Sequence, residues 1–302
     1  VHISAGVAAL VAAVILGPRT DHEQKIGRAH NVPMTVIGAS LLWIGWFGFN
    51  AGSALGANEI ATHAMVTTHL AATAAMGTWM LLDIIVKKRP SVTGLCMGAV
   101  VGLVCITPAA GYVLSQDAIL IGSLGALCSY GALLFLENRK LDDTLDVFAC
   151  HGVAGIAGSI LVGIFANAAV NPAGANGLWY GDTNLLKPQI EATLVAIVFS
   201  GVMTASILKL LEKTIGLRVH GDQEIDIDQN LHNETAYAGY QHVPLGEILV
   251  EAGLVTNAQV VQCLAIQKEN PVHQPLGEIL IARKLIQPKQ LWRILVKQKL
   301  AA

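Results

Sequence analysis

The feature that most constrains this chain is a succession of apolar stretches, each close to the roughly 20 residues a helix needs to cross a bilayer. Candidate spans are residues 1–16, 33–55, 60–86, 92–114, 118–136, 145–168 and 190–211. The first reads as clipped, because Val1 opens directly on apolar sequence with no Met and no signal-peptide pattern. The chain is therefore expected to be a fragment lacking its natural N-terminus. Only 13% of its residues are charged, against about a quarter in a soluble domain. The 30 Gly, set among many Ala, suit helices that pack closely in a membrane. The net charge of -2 gives no reason to expect a nucleic acid polymer as a partner. Cys96, Cys105, Cys128, Cys150 and Cys263 show no C-x-x-C spacing, so neither a metal site nor a disulfide framework is expected.

The loops set an orientation. Arg19, Lys25 and Arg28 follow the first span, Lys87, Lys88 and Arg89 the third, Arg139 and Lys140 the fifth, and Lys213 and Arg218 the last. The intervening loops hold Lys187 alone. The excess of Lys and Arg belongs in the cytoplasm. The C-terminus is then cytoplasmic in a multi-pass protein of the cell (inner) membrane.

Two stretches share the pattern H-x-x-A-G-[VI]-A: HISAGVA from His2 and HGVAGIA from His151. On this orientation their helices cross the membrane in opposite directions. A shared local sequence on oppositely directed helices marks an inverted-topology repeat, whose functional site lies near the midplane. An ionisable side chain in a span is costly unless it meets a partner or a cavity. Two neutral imidazoles can satisfy each other, since each has one donor and one acceptor. The rings of His2 and His151 are expected within hydrogen-bond reach; the plainer reading is that each bonds a neighbouring helix.

GWFGFNAGSA, residues 45–54, combines Trp46, Phe49 and Ser53. Rings beside a hydroxyl can replace the water shell of a small cation; an interfacial aromatic belt is the competing reading. Asp143 and Asp146 precede His151 and read as helix caps. Gly94, Gly98 and Gly102 read as a helix-packing stripe.

VHISAGVAALVAAVILGPR, GWFGFNAGSA, ANEIA, ITPAAGYV and DVFACHGVAGIAGSILVGIFA together resemble the ammonium transporter family, over residues 1 to about 237. The resemblance implies an all-α, polytopic transmembrane bundle, here an incomplete inverted repeat of about seven spans, in a bacterial homotrimer for nitrogen uptake. It implies that His2 and His151 are twin pore histidines; a proton relay beside passing ammonia is the scheme it supports, with whole-ion and ammonia-only conduction left open. It makes Ser53 part of an outer ammonium-recruitment site with Trp46 beside it, Phe49 a gating ring, and Thr107 a lining residue of the outer vestibule. Asp146 and Asp143 become structural carboxylates. Residues 216–239 resemble the family's cytoplasmic tail, which in many members meets the PII signalling protein. Asp226 stands there where the family usually has Gly.

From residue 240 the composition changes and a repeat of period 31 begins, with PLGEIL at 244–249 and again at 275–280. Leu264 and Gln267 match Leu295 and Gln298. Each unit reads as two short helices, with a capping box at Thr256 and Gln259. Neither unit buries its apolar face alone, so the two make one small helical domain. This module resembles the N-terminal domain of type II secretion and type IV pilus ATPases, versions of which bind cyclic di-GMP. Pro244 and Pro275 stand where binding versions carry Arg, which ranks protein interaction ahead of the nucleotide.

The sequence thus divides into a transmembrane domain over 1–215, a tail over 216–239 and a helical module over 240–302. It shows no nucleophile–base pair, phosphate loop or metal spacing, so no enzyme and no cofactor are expected. Ammonium transport with a regulatory module is the leading reading. The alternative is an ammonium sensor signalling through its C-terminal domain with little flux.

Overall fold

The structure, a computed structural model, describes residues 1–19, 31–137, 139, 141–219, 224, 227, 232–233, 245–269, 275–292 and 294. Lys25, Arg28, Lys140, Asp226, Pro244, Leu295 and Gln298, and most of the tail over 216–239, lie outside the described residues. The chain divides into two compact units, residues 1–219 and 220–302.

The first unit is a bundle of α1 (His2–Leu16), α2 (Val32–Gly52), α3 (Glu59–Lys87), α4 (Val92–Ile106), α5 (Ser115–Glu137), α6 (Ala154–Phe165) and α7 (Leu186–Thr214). A π-turn, Phe148–Val153, runs straight into α6. No strand occurs among the described residues. Among the described residues, five helical segments are long and apolar enough to span a membrane, with Phe148–Phe165 counted as one; α1 and α4 are shorter. The expected fourth span over 92–114 ends early, at Ile106. Pro108 has no N–H to give to an i−4 carbonyl. Thr107 N and Ala109 N donate instead to Val104 O and Ile106 O in tight turns.

The helix starts are written locally. Asn31, Asn58 and Ser91 each cap a helix, accepting from the N–H of Met34, Ala61 and Gly94 respectively. Glu59 lies in the first turn of α3 and Lys87 in its last, as the helix dipole favours.

Packing rests on small residues. A Cβ on Gly98 would press on Trp79, and one on Gly102 on the backbone of Ala71 and Ala72, so α4 lies directly against α3. Asp83, fully buried near the end of α3, accepts hydrogen bonds from Ser91 Oγ and Tyr130 Oη, each at 3.0 Å. Lys87 Nζ lies 3.2 Å from its other face. One carboxylate thereby joins α3, α4 and α5, and the Ser91 hydroxyl both caps α4 and serves Asp83.

α1 is held near both of its ends: Ser200 Oγ of α7 donates to Ser4 O at 2.8 Å, and Arg218 Nη1, four residues past α7, donates to Leu16 O at 3.1 Å. Arg19, just past α1, donates through both its backbone N and its Nε to Asp142 Oδ2 at 2.8 Å.

The second unit contains α8 (Leu245–Glu251), α9 (Asn257–Glu269) and α10 (Leu276–Ala282). Its own core gathers Leu249, Val260, Cys263, Ile279, Leu280 and Ile286. Thr256 and Gln259 form the reciprocal capping box, and Gln290 Oε1 caps Gln287 N in the second repeat at 2.7 Å. Gly246 packs on Val260 and Gly277 on Leu291, where a Cβ would fall 2.6 and 2.8 Å from those side chains. Both glycines of the repeat thus serve packing between helices.

Candidate functional site

His2 is the first residue of α1, and His151 lies within the π-turn. π-turns displace side chains from their helical positions and are frequent at functional sites. The two elements meet through glycine. A Cβ on Gly6 would overlap the backbone of Gly152, and one on Gly155 would meet Ile3 N at 3.1 Å and His2 Cβ at 3.2 Å. Gly6 and Gly155 are the matched glycines of the two H-x-x-A-G copies. Each lets its helix approach the other closely enough for the histidines to be neighbours.

The rings of His2 and His151 lie 5.7 Å apart between centroids, tilted by 40°. The expected direct hydrogen bond between them is not made: His2 Nε2 is buried without a hydrogen-bond partner. The His2 ring stacks on Trp46 at 5.2 Å and 22°. Phe49 adjoins both rings, 5.9 Å from His2 and 5.8 Å from Trp46. Trp46 is itself held: its Nε1 donates to Thr107 Oγ1 at 2.9 Å, and that hydroxyl donates to Leu103 O at 2.8 Å.

His2, Phe49 and Thr107 line a cavity of about 140 Å³, together with Gly155 and Ser159. His151 lines a second, of about 750 Å³, with Arg19, Thr35, Cys96, Asp146 and Cys150. Each histidine therefore borders one cavity, and the rings adjoin.

Ser53 does not join this group. Its exposed residue turns the hydroxyl back onto Phe49 O at 2.7 Å. Asp143 and Asp146 divide the work expected of them. Asp143 Oδ2 accepts from Phe148 N at 2.7 Å and caps the π-turn. Asp146 takes a left-handed backbone, φ 53°, which Asp tolerates better than most residues. Burial pushes its carboxyl up to about 6, with Asp143 and Glu137 adding and Lys87 opposing.

Sequence reasoning missed Ser159, the π-turn and the Asp83 cluster. Asp83 did carry a signal: a carboxylate inside an apolar run, with a lysine four residues on.

These features define a polytopic helical membrane protein with a histidine-lined site inside the bundle. The model of the Ammonium Transporter Family matches residues 1–237. An ammonium transporter of Aquifex aeolicus is 45% identical over 238 residues, covering 78% of this chain and 55% of that protein. The crystal structure of Candida albicans Mep2 aligns with TM-score 0.69 at 34% identity, covering 74% of this chain and 51% of that one. A structure described as a sensor Amt protein aligns with TM-score 0.67 at 31% identity, over 74% of this chain and 56% of that one. The chain belongs to the ammonium transporter family, and it spans somewhat more than half the length of these relatives.

Proposed function

We propose that this chain carries the histidine pair of a pore that moves ammonium across the cell membrane. The observation that carries this reading is the adjoining pair His2 and His151, each bordering its own cavity, with a buried imidazole nitrogen free to bond. Stripping water from a whole ammonium ion in an apolar passage is expensive. Releasing the proton to an imidazole lets neutral ammonia pass, and the paired rings can hand the proton on. Trp46, Phe49 and Thr107 form the wall before His2. Thr107 holds the indole, and the two rings screen the site from water. Ser53 stands at the same end of the bundle as an outer recruitment group. Asp143 holds the π-turn that presents His151.

The excess of Lys and Arg after α1, α3, α5 and α7 assigns that end to the cytoplasm. Residues 1–215 are the pore domain, 216–239 the cytoplasmic tail and 240–302 a cytoplasmic module. Family membership supports a homotrimer, with PII as a partner to test at the cytoplasmic face. For the module we favour a protein partner over cyclic di-GMP: its repeat glycines are spent on packing, and prolines replace the Arg.

Methylammonium uptake in a transport-deficient cell tests the reading. Uptake lost on His2→Asp or His151→Asp supports the pore. Negligible uptake with ammonium-dependent signalling intact would leave a sensor as the better account.

A further inference from the structure

Three aspartates crowd the loop before the π-turn, and their situations differ. Asp142 is bonded to Arg19, and Asp143 is bonded to Phe148 N. The Asp146 side chain makes no hydrogen bond or ion pair with a described residue. Its backbone is occupied, since its N donates to Asp143 O and its O accepts from Cys150 N. That backbone pins the residue in its left-handed conformation, and Asp146 lines the larger cavity, the same one that His151 borders.

We propose that Asp146 is the proton-exchange group at the Arg- and Lys-rich mouth of the pore, passing protons between His151 and the bulk solution. The proposal rests on the pore reading given above. In the outward-to-inward direction, the N–H bond of the His151 imidazolium breaks and an O–H bond forms on the Asp146 carboxylate, through water in the cavity. The carboxyl then gives that proton to solvent or buffer at the mouth. Imidazole and carboxylate both return to their starting forms, so charge and protons balance over one turnover.

The surroundings suit the task. A proton carrier works best when its affinity lies near the working pH. Burial and the neighbouring Asp143 and Glu137 raise the proton affinity of this carboxyl, and Lys87 lowers it in part. Arg19 and Cys150 share the cavity wall, and Arg19 is engaged by Asp142. Among the described residues of the loop, Asp146 is thus the cavity-lining aspartate whose side chain no hydrogen bond or ion pair engages.

The test uses the full chain in proteoliposomes, with ammonium-evoked current recorded while the pH on the Asp146 side is varied. Asp146→Asn is expected to lower the current about a hundredfold, the scale on which a positioned proton-transfer group acts. It should also flatten the dependence on that side's pH. Asp146→Glu, or imidazole buffer added on that side, should restore the current. Infrared difference spectra provide a second readout: a carboxyl band titrating near pH 6 should vanish in Asp146→Asn. Unchanged current and pH profile in Asp146→Asn would overturn the proposal, as would a loss that neither Glu nor buffer restores. A silent unsubstituted protein would overturn the pore reading, and this proposal with it, whereas a conducting unsubstituted protein whose Asp146→Asn variant is unchanged overturns this proposal alone.

Discussion

Gly6 and Gly152 meet backbone to backbone where the two histidine-bearing elements cross, with no room for a methyl group on Gly6. The neighbour is main chain, so it cannot yield by changing rotamer. Gly6→Val should separate α1 from the π-turn and destabilise the protein by about 1–3 kcal/mol, as overpacking does. Thermal unfolding in detergent checks this. Gly45→Val, where a Cβ meets nothing within 4 Å, is the control and should leave the midpoint nearly unchanged.

Thr107→Val should leave the buried Trp46 indole N–H without its acceptor. The cost is about 1–3 kcal/mol, the penalty for an unsatisfied buried donor. Thr107→Ser keeps the hydroxyl and should behave like the parent protein. Denaturation midpoints separate the two variants. Uptake measured alongside shows whether a freed Trp46 still supports the His2 ring.

Asp83→Ala leaves Lys87 without its carboxylate and removes the acceptor used by both Ser91 and Tyr130. The Lys87 side chain is 42% exposed and is taken up by water, so the main cost is that of leaving the Tyr130 and Ser91 hydroxyls without their acceptor, about 1–3 kcal/mol. Asp83→Asn keeps an acceptor and should cost less. If the two variants unfold at the same temperature as the parent, the cluster does not join α3, α4 and α5 in the way described.

The proton affinity of Asp146 gives stability a sign with pH. Its folded value, about 6, lies above its ordinary one of 3.8, so the folded protein binds the proton more tightly than the unfolded chain. Its stabilising contribution is fully present below the ordinary value and is lost as pH rises through about 6. Asp146→Asn removes this dependence. The stability of the variant relative to the parent should therefore rise between pH 4 and 6 and level off above. A difference independent of pH over that window would contradict the assignment.

Gly246→Trp should unfold the second unit whether or not a nucleotide is present, because its new side chain would be driven into Val260. Limited proteolysis of the full chain is the measurement. Cleavage within 245–294 should appear in the variant and not in the parent. A protected variant would show that Gly246 is not a packing position.

Much of the fold was legible because its determinants are local. Apolar length marked the helices, and the Thr256–Gln259 box marked a start that the structure shows as a cap; the caps Asn31, Asn58 and Ser91 went unread. The end of α4 was misjudged because hydropathy does not register the donor missing at Pro108. At the site, the paired H-x-x-A-G motif brought His2 and His151 to notice. The role of its glycine was missed, since close approach is a property of two segments about 150 residues apart in sequence. The partner of Trp46 was hidden for the same reason: nothing near GWFGFNAGSA announces Thr107. The unpaired Nε2 of His2 is a matter of tertiary packing, which no linear pattern encodes.

The two bonds that tie α1 to α7 and to the segment just after it sit near opposite ends of α1, at Ser4 O and Leu16 O, roughly 18 Å apart at 1.5 Å per residue. A helix held at two such points cannot slide or tilt by itself; it moves with its partner or breaks a bond. Concerted shifts of packed helices take microseconds to milliseconds, whereas side chains change rotamer far faster. The site therefore has two clocks. The quick one belongs to the rings of His2, Trp46 and Phe49, and the slow one to α1 and α7 moving together.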